Sequence, residues 1–157
     1  MRIGIGYDIH RLVEERVLRL GGVVIPHDKG LLGHSDADVV LHAVTDALLG
    51  AAGLPDIGEL FPDTEAKYKD ADSGKLLREV FWRVRDEGFH VGNIDVIVHA
   101  ERPKLSPYKR SMAESIAALL ETDAELVSVK AKTNEGMDAV GRGDAIACTA
   151  TVLLLKA

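Results

Sequence analysis

Asp8 and His10 stand two residues apart in the stretch "GYDIH". The preceding "RIGI" alternates like a strand, and alternation puts Asp8 and His10 on one face. His42 falls within the helical pattern "ADVVLHAVTDALLGAAG". Catalytic zinc sites commonly take three ligands from His, Asp or Glu and leave a fourth place open. A D-x-H strand pair plus a helical His supplies that set. Asp38 and Asp46 lie four residues either side of His42, so either could accept the second ring N–H of His42. The plainer alternative is a surface His10 at a strand end and a half-buried His42. D-x-H is short and recurs by chance.

Four further clusters carry chemistry. His34 and Ser35, in "GHSDAD", stand just before the helix with His42. A helix N-terminus offers free N–H groups and a positive dipole end, which suits a phosphate. Ser35 and Asp38 also have the spacing of a capping box, which accounts for Ser35 but not for His34. At about 1.5 Å of rise per residue, Ser35 and His42 would sit about 10 Å apart along one ligand. In "PDIGELFPDT", Asp56, Glu59 and Asp63 crowd a loop stiffened by Pro55 and Pro62. Such carboxylates accept hydrogen bonds from polyol hydroxyls, and an ordinary solvated acidic loop reads the same way. In "KAKTNEG", Lys130, Lys132 and Thr133 suit a phosphate, and Glu135 suits a hard cation such as Mg²⁺ bridging phosphate oxygens. The alternative there is a solvated strand end. In "AERPKLSP", Pro103 and Pro107 stiffen a loop whose free backbone groups could read a nucleobase edge.

The elements that must position these residues follow from periodicity. "RIGIGYDIHRL" and "VLRLGGVVIP" predict two strands joined by the charged turn "VEER", followed by a Gly-rich loop, "HDKGLLGHSD". The first helix should end at Gly50 or Gly53. A long irregular stretch, "LPDIGELFPDTEAKYKDADS", precedes a second helix, "GKLLREVFWRVRDEGF". Then come the strand "HVGNIDVIVHAE", the helix "YKRSMAESIAALLET" and the strand "LVSVKAKT". The Gly-rich "NEGMDAVGRGD" leads to a closing strand, "AIACTATVLLLK". The order, roughly ββαα-βαββ, predicts an α+β fold with helices packed on one face of a mixed sheet. Residues 1–157 read as one domain, with no repeat or linker. Ile9, on the strand face opposite Asp8 and His10, reads as core.

Composition narrows the classes. With 46% hydrophobic and 28% charged residues, the chain is globular and not disordered. Only 4% is aromatic, so Val, Ile, Leu and Ala must fill the core. A net charge of −6 argues against nonspecific nucleic-acid binding and against an anionic membrane surface. It does not exclude an anionic small substrate. One cysteine, Cys148, excludes an intrachain disulfide and fits a reducing compartment. No apolar run reaches the roughly 20 residues of a membrane helix, and "MRIGIGYDIH" lacks a signal-peptide core. The setting read from this is cytoplasmic, or a plastid-type organelle after transit-peptide removal.

Taken together, "GYDIH", "GGVVIP", "KGLLGHSDADVVLHAVTDALLGAAGLPDIGELFPDT", "VKAKTNEG" and "GRGDAIAC" run nearly end to end. The chain resembles the 2-C-methyl-D-erythritol 2,4-cyclodiphosphate synthases of the non-mevalonate isoprenoid pathway. The resemblance implies a homotrimer with active sites between adjacent subunits. It implies a lyase-type ring closure in which a cytidine diphosphate-linked methylerythritol 2-phosphate attacks its own diphosphate and CMP leaves. By position, Asp8, His10 and His42 match zinc ligands, and Glu135 a ligand of a second ion, Mg²⁺ or Mn²⁺. His34 and Thr133 match groups that position and stabilise the reacting phosphates, and Ser35 a phosphate contact. Asp56, Gly58 and the run Phe61, Pro62, Asp63, Thr64 and Glu65 match a methylerythritol pocket. Ala100 to Ser106, with Pro103, Lys104 and Leu105, match a cytidine pocket. Lys132 to Glu135, with Asn134, match a diphosphate clamp. Relatives often carry Gly-Phe before "GRG", and that aromatic lines, with the Arg, an axial cavity that can take an isoprenoid diphosphate. Asp138 and Ala139 depart from the pattern and weigh against such binding, while Arg142 remains. Two other readings stay open: a metal-dependent nucleotide pyrophosphohydrolase, and a non-catalytic binding module with structural histidines.

Overall fold

A computed structural model describes residues 1–157. Seven strands are β1 (Arg2–Glu14), β2 (Leu18–Leu20), β3 (Val23–Ile25), β4 (Lys29–Leu31), β5 (Phe89–His99), β6 (Val127–Lys132) and β7 (Ala145–Lys156). Five helices are α1 (Val39–Ala52), α2 (Ile57–Leu60), α3 (Ser73–Asp86), α4 (Lys109–Leu119) and α5 (Asp138–Gly141). Five strands form one sheet in the order β4-β1-β7-β5-β6. Only β5 and β6 run parallel; their connection carries α4, the crossover a parallel pair requires. The sheet is mixed and its long helices lie on one face, as the α+β pattern predicts.

The local departures have physical causes. "VLRLGGVVIP" is not one strand but a separate hairpin, β2 with β3, turned at Gly21 and Gly22 with φ of 60° and 78°. Two positive φ values in succession favour glycine and give the turn that suits hairpin twist. β1 runs on into the predicted "VEER" turn because β4, hidden in the Gly-rich loop, pairs with Leu12 to Glu14. The long irregular stretch contains α2, and the second Gly-rich loop contains α5. Gly53 ends α1 in the left-handed region, with φ 76°.

The contact between β1 and α1 positions the chemistry. A Cβ on Gly4 would lie 1.9 Å from the carbonyl oxygen of Ala47, and one on Gly6 1.9 Å from that of Ala43. Glycine at both positions therefore lets strand backbone touch helix backbone. Two strand residues advance about 6.6 Å and four helix residues about 6 Å. The two elements thus stay in step, Gly4 against Ala47 and Gly6 against Ala43, and the side chain of His42, leaning toward the helix N-terminus, reaches Asp8 on the same strand face.

The other face of β1 is bare. Ile3, Ile5, Tyr7 and Ile9 are exposed, Ile5 by 71% and Ile9 by 44%. Ile9 is therefore not core in this chain. Alternation assigns it to the correct face, but no helix covers that face. Cys148, in β7, is free and buried, and burial pushes its thiol pKa up.

Candidate metal centre and adjoining cavities

Asp8 Oδ2 lies 2.9 Å from His10 Nε2 and 3.0 Å from His42 Nδ1. The two ring nitrogens are 3.2 Å apart. Asp8, His10 and His42 thus form a cluster able to hold a metal ion. Three donors in mutual contact repel one another unless a cation sits among them. Their spacing falls just inside the about 3.3 Å edge of a tetrahedron with bonds of about 2.0 Å, the dimensions of a zinc site. Burial opposes charge on Asp8, yet hydrogen bonds from His10 and His42 outweigh it and bring the carboxyl down to about 2. Burial opposes charge on His42 as well, but the Asp8 hydrogen bond and charge raise its pKa above the ordinary value. The carboxylate draws a cation inward; a proton fills that role when no metal does.

Neither proposed carboxylate accepts the second ring N–H of His42. Asp38 is fully buried and accepts from Gly21, Gly22, Val40 and Leu41 N–H groups. It is the N-cap of α1 and ties the hairpin turn to the helix start. Burial raises its pKa against the pull of those backbone bonds. The Ser35–Asp38 capping box is accordingly absent, and Asp38 uses the N–H groups assigned above to a phosphate. Asp46 accepts instead from the N–H of Ile57, holding the start of α2. The partners of His42 Nε2 are Ser73 Oγ at 2.9 Å and Ser35 Oγ at 3.1 Å. Ser35 is thus folded back onto His42, not about 10 Å away. Ser73 was not among the sequence candidates.

The cluster borders a cavity of about 200 Å³ lined by His34, Ser35, Gly58, Phe61 and Asp63, together with His10 and His42. His34 Nε2 lies 3.3 Å from the carbonyl oxygen of Glu65. Asp56 caps α2 through the N–H of Glu59. Asp56, Pro62, Thr64 and Glu65 flank this cavity in the chain without lining it.

A second cavity, about 570 Å³, is lined by Ala100, Pro103, Lys104, Leu105, Ser106, Lys132 and Thr133. It shares no lining residue with the first. Glu135 is exposed on the turn beyond it, with φ 52°. Asn134 donates to Asp138 Oδ2 at 2.9 Å. Lys130 pairs with Asp95 at 2.6 Å and is not a free phosphate donor. Arg142 pairs with Asp144 at 3.1 Å and lines a further cavity with Ala139 and Ile9. The helices include none long and apolar enough to cross a membrane.

The family model described as "YgbB family" matches residues 1–155. The chain belongs to the YgbB family. Among YgbB relatives, the 2-C-methyl-D-erythritol 2,4-cyclodiphosphate synthase of Shouchella clausii is 55% identical, covering 100% of this chain and 99% of that one. The bifunctional IspDF of Campylobacter jejuni matches with a TM-score of 0.96 and 45% identity over 99% of this chain. This YgbB chain spans 42% of that longer protein. The IspF of Plasmodium falciparum, solved as a CDP complex, matches with a TM-score of 0.86 and 38% identity over 99% of this chain and 96% of that one.

Proposed function

We infer that the chain is a 2-C-methyl-D-erythritol 2,4-cyclodiphosphate synthase. It converts 4-diphosphocytidyl-2-C-methyl-D-erythritol 2-phosphate to the cyclic 2,4-diphosphate and releases CMP. The carrying observation is the Asp8–His10–His42 cluster at the mouth of a cavity lined by His34, Ser35, Gly58, Phe61 and Asp63. Family membership supplies the reaction.

An oxygen of the 2-phosphate forms a new bond to the phosphorus nearer the methylerythritol. The bond from that phosphorus to the oxygen bridging to CMP breaks, and CMP leaves with the electron pair. The attacking phosphate is already an anion, so no strong general base is required. Alignment and charge neutralisation do most of the work in such transfers. Zinc held by Asp8, His10 and His42, and Mg²⁺ or Mn²⁺ held through Glu135, supply that neutralisation when bound. His34 and Thr133 hold the phosphates in line, and Ser35 donates to a phosphate oxygen. The methylerythritol hydroxyls meet the cavity residues Gly58, Phe61 and Asp63, and Asp56, Pro62, Thr64 and Glu65 frame that pocket from the same loop. The segment Ala100 to Ser106 reads the cytosine, and Lys132 to Glu135 clamp its diphosphate.

Two observations support a homotrimer with sites between subunits. The cavities assigned to methylerythritol and cytidine share no lining residue within one chain, and Ile3, Ile5, Tyr7 and Ile9 leave an apolar sheet face needing cover. Composition and bacterial relatives support a cytoplasmic setting. Phosphorus NMR of the product tests the reaction. A cyclic diphosphate with CMP is expected; a linear phosphate product would mark a hydrolase.

A further inference from the structure

Metal binding at this cluster requires that His42 present Nδ1 as a lone pair, with its one hydrogen on Nε2. The surroundings of Nε2 decide this. Ser73 is fully buried and is the first residue of α3. Its hydroxyl donates to Asp36 Oδ1. A hydroxyl has one hydrogen to give, so toward His42 Nε2, at 2.9 Å, Ser73 Oγ can only accept. Asp36 is itself held: its Oδ2 accepts from the Ser73 N–H at 3.1 Å, and its Oδ1 from the Asp38 N–H at 3.1 Å. Backbone bonds from Asp36 to Ala71 and from Asp70 to His34 clip the two loops together. Ser35 Oγ is farther, at 3.1 Å, and keeps its own hydrogen uncommitted while accepting from Ala37.

We propose that Asp36 and Ser73 are positioning residues that hold the hydrogen of His42 on Nε2 and so aim its Nδ1 lone pair at the Asp8–His10 pair. The inference rests on the metal reading above and adds two residues from a different part of the chain to it. Outer partners of metal-binding histidines fix ring orientation and raise ligand basicity, and losing one typically weakens binding about 10- to 100-fold.

Proton–nitrogen NMR of zinc-loaded, histidine-labelled protein reads the His42 Nε2–H directly. In the native chain that hydrogen should be protected from solvent exchange. In Ser73→Ala, with only Ser35 Oγ left beside it, it should exchange faster, and zinc affinity should fall roughly 10- to 100-fold. Asp72 caps the same helix through Gly74 and makes no contact with His42. Asp72→Ala should therefore lower thermal stability while leaving the His42 signal and zinc affinity unchanged. A freely exchanging Nε2–H in the native chain, which needs no variant, would overturn the inference alone. So would unaltered zinc affinity in Ser73→Ala. Failure of the native chain to take up zinc would overturn the metal reading as well.

Discussion

The cavity beside the metal cluster and the cavity at the ends of β5 and β6 are built differently. The first rests on regular elements: β1 against α1 through bare glycine backbone, with the start of α3 closing behind His42. Its donors already touch one another, at 2.9 to 3.2 Å. The second sits where β5 and β6 end, and Lys104, Ser106, Lys132 and Thr133 there are exposed. One half of the site is preset by packing within the chain. The other is an open loop surface, which on the proposed trimeric reading a bound substrate or a neighbouring subunit completes. Rigid elements hold reacting groups more tightly than loops do, so the metal half should be the more sensitive to packing changes.

The largest effect should come from the preset half. His42→Ala removes one donor and leaves Asp8 and His10 without a complete set. Metal analysis should show loss of zinc at this site, and turnover should fall roughly 1,000-fold or more. Gly6→Ala touches no ligand, yet its Cβ would lie 1.9 Å from the Ala43 carbonyl. Moving β1 off α1 should cost about 1–3 kcal/mol in a denaturant titration and weaken zinc binding too. An equal change in the second cavity should spare zinc altogether. Glu135→Gln is expected to lower Mg²⁺-dependent turnover about tenfold while zinc content stays constant, since the proposed second ion would draw on Glu135 and not on the Asp8–His10–His42 cluster. Parallel loss of both metals would erase the contrast between the halves.

The smallest effect is a pH dependence. In metal-free protein, the stabilising contribution of Asp8 is present above its ordinary range and fades as pH falls toward about 2. That of His42 is present below its ordinary value and is lost as pH rises through its raised one. Zinc must displace the His42 proton. Its affinity should therefore climb with pH beyond the range of an unperturbed histidine, with proton release measurable by calorimetry in two buffers.

Much of this was legible from residue order. Strand alternation places Asp8 and His10 together, and the helical period brings His42 into reach. The contacts across sequence were not legible. Nothing local to Gly4 and Gly6 marks them as the points where helix backbone presses on the strand. Ser73 and Asp36 lie 37 residues apart and meet only through the fold. Asp38 displaced Ser35 as the cap because the Gly21–Gly22 turn supplies two further N–H groups to its carboxylate. Ile9 was given the correct face, but whether a face is covered depends on what packs there, which alternation does not report.

The most direct test of the two-half account mixes two inactive variants. His42→Ala disables the metal cavity, and Thr133→Ala with Glu135→Gln disables the second. Co-expressed in one cell, the two chains should assemble mixed trimers. If each site joins the metal cavity of one subunit to the second cavity of the next, about one quarter of the sites are intact. Phosphorus NMR should then show cyclic diphosphate formed at about a quarter of the native rate. Two variants that stay inactive in mixed trimers would contradict the account and place both halves of each site in one chain.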